Sequence, residues 1–158
     1  TGAAPAMETV DLLDVARECV ERQKVNARHS YISLTYLGES APVTGSRVLL
    51  DELCQNLCDN AIRYNRPGGK VQIITACTRD GHCTLTVKDN GIGIPKEAQT
   101  SVFERFYRVD KSRSKATGGT GLGLAIVKHI ARIHNARIKL DSVVDEGTTI
   151  TVIFETAS

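Results

Sequence analysis

Residues 89–95, Asp-Asn-Gly-Ile-Gly-Ile-Pro, combine an acid with two glycines in a pattern that suits a ligand site. The alternation of Leu85 and Val87 runs directly into Asp89, so its carboxylate is predicted to point to the buried face of a strand. A buried carboxylate needs hydrogen-bond donors, because an ionised group without them is costly. The glycines carry no Cβ, so a ligand can approach the backbone closely. Taken alone, the segment fits an ordinary Asx-type turn equally well.

Two asparagines form a second polar group, since Asn56 and Asn60 are four residues apart and share one face of a predicted helix. Asn is a poor residue inside a helix because its side chain competes for backbone hydrogen bonds. Amide oxygens suit hard cations such as Mg²⁺, so the pair indicates metal and phosphate ligation. Arg63 and Tyr64 follow one turn later and could supply a charge for phosphate and an aromatic wall. The alternative is a pair of boundary asparagines that bond each other or water.

A second glycine-rich segment, residues 117–124, opens another predicted helix. Successive backbone N–H groups at a helix N-terminus form an anion site, which favours phosphate binding here. Two familiar phosphate motifs do not fit this segment. No Lys-Ser/Thr pair follows the glycines, and Leu124 stands where the dinucleotide fingerprint needs its third glycine. A glycine-rich hinge without a ligand is the alternative.

The stretch between the two glycine segments, residues 100–118, is polar, basic and low in periodicity. Its length favours a mobile functional loop over a passive connection. Aromatic residues alternate with the bases and could pin the loop to the body while the bases reach inward. A charge run that stands alone is more often a solvated loop. The bases are Arg105, Arg108, Lys111, Arg113 and Lys115, and the aromatics are Phe103, Phe106 and Tyr107.

Hydrophobic periodicity predicts three helices that position these groups. Asp11 is a candidate N-cap for the first helix and Ser46 for the second, and Asn135 is predicted to end the third in the left-handed conformation. The first helix is predicted to run from Asp11 to about Gln23, the second from Arg47 to Tyr64, and the third from Thr120 to His134.

Five strands are predicted from period-two alternation, with Gly38 to Ser46 as a loop and Asp80-Gly81 as a type I′ hairpin turn. Strands with one polar face imply a sheet that helices cover on one side only. The predicted fold is therefore α+β, a two-layer α/β sandwich with a mixed sheet of about five strands under three helices. The predicted strands are 31–36, 71–78, 83–88, 136–143 and 148–154, and Pro95 is predicted to begin a short helical turn.

The bulk properties are those of one soluble globular domain, with 158 residues, 41% hydrophobic and 24% charged. A formal net charge of +2 gives no indication of a nucleic-acid partner. No apolar run reaches the roughly 18 residues of a membrane span, and no secretory signal opens the chain. Residues 1–8 are interpreted as a linker or cloning remnant, and 9–156 as the domain. The five cysteines fit neither a disulfide framework nor a zinc site, so we expect all five to be reduced and mostly buried.

Together, these segments resemble the catalytic, ATP-binding domain of sensor histidine kinases, within the wider superfamily that includes DNA gyrase B and MutL-type ATPases. The resemblance extends over nearly the whole chain, from about Val10 to Phe154. Any one motif is weakly specific, but all of them in order at the family's spacing are highly specific. The matching segments are the asparagine box 51–64, the glycine boxes 89–95, 119–124 and 146–149, and the phenylalanine box 103–113.

The resemblance implies that the chain binds ATP with Mg²⁺. Asp89 would accept a hydrogen bond from the adenine amino group, with Tyr64 and Ile94 on either side of the base. Asn60 would hold Mg²⁺ against the phosphates with support from Asn56, and residues 96–118 would form a lid. The implied catalytic residues are Asn56, Arg105 and Arg108. Arg108 is also an implied nucleotide contact, together with Arg63, Gly91, Gly93, Lys111, Gly119, Thr120, Gly121, Leu122, Gly123, Leu124 and Thr149.

The implied activity is transfer of the ATP γ-phosphate to a histidine on the dimerisation domain of a two-component sensor kinase. The hydrolysing relatives carry a glutamate, the general base for water, where this chain has Asn56, which cannot take a proton. This difference favours phosphoryl transfer over efficient hydrolysis. Arg63 replaces the usual lysine of the asparagine box, so the local phosphate geometry is expected to differ. The alternatives are an ATPase of the gyrase type and a protein serine kinase.

The resemblance also implies partners. The family's phosphoacceptor histidine lies in a two-helix dimerisation region upstream, and no histidine here has that context. His129 and His134 are expected to be surface or boundary residues. The expected partners are the phosphoacceptor helices of the parent kinase and, indirectly, a response regulator, with no nucleic acid and no membrane contact. The expected location is the cytoplasmic side of a membrane-anchored parent protein.

Overall fold

The computed structural model describes residues 6–99, 101–103 and 122–155, which form three α-helices and two β-sheets. The helices are α1 (Leu12–His29), α2 (Arg47–Arg63) and α3 (Leu122–Ile133). The strands are β1 (Glu8–Asp11), β2 (Ser33–Gly38), β3 (Pro42–Gly45), β4 (Lys70–Cys77), β5 (His82–Asp89), β6 (Arg137–Val143) and β7 (Gly147–Glu155). A short 3₁₀ turn, Lys96–Ala98, follows Pro95 as predicted.

The main sheet has the strand order β2-β4-β5-β7-β6. Strands β2 and β4 pair in parallel, and the other neighbours pair antiparallel, so the sheet is mixed as predicted. Along β5 the buried residues alternate with more exposed ones; α2 packs against β4 and β5, and α1 packs against β4. The α+β sandwich of three helices on five strands is therefore confirmed.

The helix starts follow the capping residues that the sequence indicated. The Asp11 carboxylate accepts a hydrogen bond from the Leu13 N–H at 3.0 Å, and the Ser46 hydroxyl accepts from the Leu49 N–H. Asn135 ends the turn after α3 with a φ of 53°, the predicted left-handed conformation. Helix α1 runs to His29 rather than Gln23, because buried Ala27 extends its apolar face by another turn.

The predicted loop from Gly38 to Ser46 is wrong in part, because β3 lies within it. Strand β3 pairs antiparallel with β1 in a separate two-stranded sheet, in which Val10 faces Val43 and both are buried. Each strand has only four residues, so neither shows an alternation long enough to be seen in the sequence.

The turn between β4 and β5 is a hairpin, but it is not type I′. That type requires a positive φ at both central residues, and of Asp80 and Gly81 only Gly81 has one, +88°. The Gly81 N–H donates to the Thr78 carbonyl, so a type I turn followed by a left-handed glycine joins the strands.

The expectation that all five cysteines are reduced is wrong for one pair, since Cys77 and Cys83 form a disulfide. The two residues are direct partners in the β4–β5 register, which brings their side chains within bonding distance. Cys19, Cys54 and Cys58 are free and buried between α1 and α2, as predicted. A hydrogen bond with Cys19 and complete burial raise the pKa of Cys54, which keeps its thiol protonated.

Of the two histidines expected to be surface or boundary residues, His129 is exposed but His134 is buried. The His134 Nε2 accepts a hydrogen bond from the Ser46 N–H at 3.0 Å, and Nδ1 lies 2.8 Å from the Ile130 carbonyl oxygen. The ring also packs edge-on against Phe154. His134 thus ties the end of α3 to the start of α2, a long-range contact that periodicity along α3 alone does not reveal. Among the described residues, no helix is both long and apolar enough to cross a membrane.

Replacing His134 with alanine is expected to lower the free energy of unfolding by about 2–4 kcal/mol, because it leaves a buried N–H at the start of α2 without an acceptor and opens a cavity beside Phe154. Urea denaturation measures the change. His129→Ala, an exposed substitution on the same helix, is the matched control and should change stability by less than about 0.5 kcal/mol. Equal effects of the two substitutions would contradict the assigned role of His134.

Candidate functional site

A largely apolar pocket lies between α2, the end of β5, the segment that follows β5, and α3. Its polar side chains are Asn60, Tyr64, Asp89 and Thr148, and the remaining walls are apolar. A concave apolar site with a few convergent polar groups is the usual form of a small-molecule site. The pocket is lined by Leu57, Asn60, Ala61, Tyr64, Val87, Asp89, Ile92, Gly93, Ile94, Leu124, Thr148 and Ile150.

Asp89 lines this pocket and lies on the same face of β5 as Val87, where the alternation predicted it. Its Oδ1 accepts hydrogen bonds from the N–H groups of Gly91, at 2.8 Å, and Thr148, at 3.2 Å. Both bonds end on Oδ1, so Oδ2 is the oxygen left to accept from a ligand. Burial raises the pKa of Asp89 to about 6, and the two N–H donors counteract only part of that effect.

The two glycines after Asp89 are required by the approach of other chain segments. A Cβ at Gly91 would collide with the Tyr64 carbonyl oxygen, which also accepts a hydrogen bond from the Ile92 N–H. Gly93 has a φ of +74°, and a Cβ there would collide with the Val143 carbonyl. Gly93 also lines the pocket, whereas Gly91 does not. The segment is therefore packed tightly against the end of α2 and the end of β6.

The two asparagines of α2 have different positions. Asn60 lines the pocket, and its amide nitrogen donates to the Asn56 carbonyl at 2.8 Å, so its amide oxygen is the atom available to a cation. Asn56 lies one turn earlier, beside a shallow depression that includes Arg22, Asp51 and Glu52. A neutral amide oxygen beside an open pocket fits Mg²⁺, which takes few protein ligands and keeps water and phosphate oxygens around it.

Arg63 does not line the pocket. Its guanidinium pairs with the Asp59 carboxylate at 2.8 Å, with a quarter of the Arg63 side chain exposed, next to a separate groove between the ends of α1 and α2. Tyr64 caps the C-terminus of α2, and Ile94 is buried. Both line the pocket, and their contact with an adenine base stays a prediction.

Thr148, rather than the predicted Thr149, faces the pocket. Residues of β7 alternate between the two faces of the sheet, and Thr148 shares the buried face with Ile150. Thr149 is paired with Lys88 in the register and points to the opposite face. Sequence reasoning could have found Thr148, because the alternation Thr148, Ile150, Val152 is visible in the chain. It also missed the apolar pocket residues Leu57, Ala61 and Ile150, because hydrophobic periodicity does not distinguish a residue that lines a pocket from one in the core.

Some of the predicted site residues lie outside the described part of the chain, namely Arg105, Arg108, Lys111, Gly119, Thr120 and Gly121. Leu122 and Gly123 form the first turn of α3, and Leu124 in the same turn lines the pocket. Phe103 packs against the core, as expected for an aromatic residue that pins this segment to the body.

Residues 45–158 match the family model described as histidine kinase-, DNA gyrase B- and HSP90-like ATPase. The chain belongs to this ATPase family. It is 49% identical over 153 residues to the sensor-like histidine kinase SenX3 of Mycolicibacterium smegmatis, covering 94% of this chain and 38% of that protein. It is 40% identical over 149 residues to the sensor histidine kinase YkoH of Bacillus subtilis, covering 94% of this chain and 32% of the relative.

Solved structures agree with this placement in the ATPase family. A mycobacterial sensor histidine kinase, MprB, superposes with a TM-score of 0.80 at 32% identity, covering 95% of this chain and 97% of that one. The catalytic domain of histidine kinase ThkA superposes with a TM-score of 0.83 at 22% identity, which shows the shared fold. Within the ATPase family, the chain is thus a sensor histidine kinase catalytic domain, as predicted, and it spans less than two fifths of the curated relatives named above.

Replacing Asp89 with asparagine is expected to stabilise the ligand-free domain by about 2–3 kcal/mol at pH 7.5, since a carboxylate with a pKa of about 6 is held ionised there against its burial. The folded pKa of Asp89 lies above its unfolded value near 4, so the protonated carboxyl contributes a stability to the wild type that is fully present below about pH 4 and is lost as the pH rises through about 6. The advantage of the variant should therefore shrink as pH falls from 7.5 to 4.5 in urea denaturation. Asp141→Asn, an exposed carboxylate on β6, is the control and should show neither effect.

Proposed function

We propose that this chain binds Mg·ATP in the pocket beside Asp89 and donates the γ-phosphate to a histidine on the dimerisation domain of a longer sensor kinase. The observation that carries the proposal is a carboxylate that lines a largely apolar pocket with one oxygen left to accept from a ligand, together with the Asn60 amide in the same pocket. Membership of the ATPase family and the likeness to sensor histidine kinases support it.

Adenine suits the inner part of the pocket. The free Oδ2 of Asp89 can accept a hydrogen bond from an exocyclic amine, and the apolar walls, including Ile94 and Leu124, suit a flat aromatic base. Guanine and hypoxanthine carry a carbonyl oxygen at the equivalent position, which would face the carboxylate oxygen without a proton between them. The pocket therefore selects adenine through one acceptor atom.

The phosphates would extend toward Asn60, whose amide oxygen would hold Mg²⁺ with support from Asn56. Bound Mg²⁺ would neutralise charge on the phosphate oxygens during transfer. Asn56 cannot take a proton from water, so the site lacks a general base at this position and favours transfer over hydrolysis. Arg63 would contact phosphate only by giving up its pairing with Asp59. Backbone N–H groups of residues 119–124 and the lid bases Arg105, Arg108 and Lys111 complete the proposed site.

The proposed partners follow from the length of the relatives. Since the chain spans 38% of the SenX3 relative, the phosphoacceptor helices would belong to another part of a longer protein. A response regulator would act downstream of those helices, and we place the domain on the cytoplasmic side of the membrane that anchors the parent.

Loss of the acceptor at position 89 is expected to weaken ATP binding by roughly 100-fold. In Asp89→Asn, Oδ1 can keep its bonds to Gly91 and Thr148, so the amide NH₂ takes the place of Oδ2 and meets the adenine amine donor to donor. Titration calorimetry with Mg·ATP measures the change, with Asp141→Asn as the control. The wild-type affinity should also fall below about pH 6, where Asp89 becomes protonated. Unchanged affinity in the variant would exclude Asp89 as the adenine contact.

Phosphoryl transfer is tested by mixing the 158-residue chain, γ-labelled Mg·ATP and a separately produced dimerisation domain that carries the acceptor histidine. The expected product is acid-labile label on that domain, as phosphohistidine is. Asn60→Asp should lower the transfer rate by at least roughly tenfold while changing ATP affinity much less, because the extra charge alters the metal site and not the base site. Acid-stable label would indicate a serine kinase, and steady release of phosphate by the chain alone would indicate an ATPase of the gyrase type.

A further inference from the structure

The backbone of Ile94, in the pocket wall that adjoins Asp89, is held at both of its polar atoms by side chains. The Ile94 N–H donates to the Ser142 Oγ on β6 at 2.8 Å. The Ile94 carbonyl accepts from the Gln99 Nε2 at 3.0 Å, and the same nitrogen donates to the Ser142 carbonyl, also at 3.0 Å. Gln99 therefore uses both amide protons to join the pocket wall to β6.

Ser142 links this wall to Asp89. Its hydroxyl lies 3.0 Å from the Gly147 carbonyl and 2.8 Å from the Thr148 Oγ1. A hydroxyl has one proton and two lone pairs, so Ser142 can donate to Gly147 while it accepts from Ile94 and Thr148. Thr148 in turn donates its backbone N–H to the Asp89 carboxylate. One continuous network thus connects the Ile94 wall to the carboxylate.

The segment that contains Ile94 depends on these bonds because it follows the end of β5 and belongs to no strand. Among the described residues, the segment also contacts β6, β7 and the turn between them through a hydrogen bond from the Asp145 N–H to the Ile92 carbonyl and through the close approaches of Gly93 to Val143 and of Asn90 to Gly147. Both Ser142 and Gln99 are half-buried, and neither side chain lines the pocket. Their effect on a bound base is therefore indirect.

We propose that Ser142 and Gln99 are positioning residues for nucleotide selection: they fix the Ile94 wall relative to the Asp89 carboxylate, so that the base is held with its amine against Oδ2. This inference rests on the proposed binding of ATP in this pocket. In this proposal, two residues outside the pocket hold the Ile94 wall and the Asp89 carboxylate in the alignment that adenine recognition requires.

The test compares the affinities of the 158-residue chain for Mg·ATP and for Mg·ITP, which differs by an oxygen in place of the adenine amine. Gln99→Met, which keeps length without donors, and Ser142→Ala are expected to lower ATP affinity roughly tenfold and ITP affinity less, so the ATP/ITP ratio falls. Ser142→Thr, which keeps the hydroxyl, should restore most of the ratio. Thr151→Val removes a hydroxyl bond to Thr86 elsewhere in the same sheet, and it should leave the ratio unchanged.

The outcomes separate this inference from the proposed function. A wild-type chain that binds ATP and ITP equally, or binds neither, overturns the adenine site itself. A wild-type preference that persists unchanged in Gln99→Met and Ser142→Ala overturns the positioning role alone. Hydrogen exchange gives a second readout that needs no nucleotide: the Ile94 amide should lose protection in Ser142→Ala while core amides of β5 keep theirs. Equal loss at both places would show a general destabilisation instead and would also overturn the proposal.

Discussion

The carboxylate of Asp89 is placed where burial opposes its charge, and in the described part of the chain two backbone N–H groups compensate for it. The rest of the site depends on this arrangement. Oδ1 accepts hydrogen bonds from the Gly91 and Thr148 N–H groups, so Oδ2 is left to accept from a ligand in the pocket that Asp89 lines. The raised pKa of about 6 shows that the protein alone does not fully stabilise the charge. A ligand that donates a hydrogen bond to Oδ2 would add to the stabilisation of the buried charge, so burial of the carboxylate favours binding of such a ligand.

Helix α2 connects the core to this carboxylate. Its start is held by Ser46 and His134, its apolar side packs against α1 and α3, and its end presents Asn60 and Tyr64 to the pocket. The Tyr64 carbonyl then accepts the Ile92 N–H, so the end of the helix also determines the path of the chain after Asp89. The same element thus carries the proposed metal ligand and supports the wall of the proposed base site.

Close backbone packing explains the glycines better than ligand contact does. Gly91 lies against the Tyr64 carbonyl, Gly93 against Val143, and Gly147, with a φ of +130°, against the Asp89 carbonyl. At each position a Cβ would force two backbone segments apart. These approaches let the turn between β6 and β7 reach the end of β5, and thereby bring Thr148 and Ser142 into the network around Asp89.

Local pattern in the sequence was sufficient for the three helices, the five main strands, the caps at Asp11 and Ser46, and the inward direction of Asp89, because each depends on neighbours a few residues away. The motif order also identified the family. The four-residue strands β1 and β3, the Cys77–Cys83 bond, the burial of His134 and the Arg63–Asp59 pair were not predicted. The first three features depend on contacts between residues that belong to different elements. The Arg63–Asp59 pair forms because a neighbouring carboxylate is available to the Arg63 guanidinium.

The residues of the candidate site also separate into those that local sequence predicted and those that required the tertiary structure. Asn60, Tyr64 and Asp89 could be chosen from residue type and spacing, but the choice of Thr148 over Thr149 required the phase of β7, and the contributions of Ser142 and Gln99 required the tertiary structure. Gln99 is close to Ile94 in the sequence, but Ser142 lies far along the chain on β6. The packing of the β6–β7 turn against the segment after β5 brings their hydrogen-bonding groups together. Sequence alone therefore determined which polar groups belong to the proposed nucleotide site. The tertiary structure decided how these groups are held, because hydrogen bonds act over about 3 Å regardless of separation along the chain.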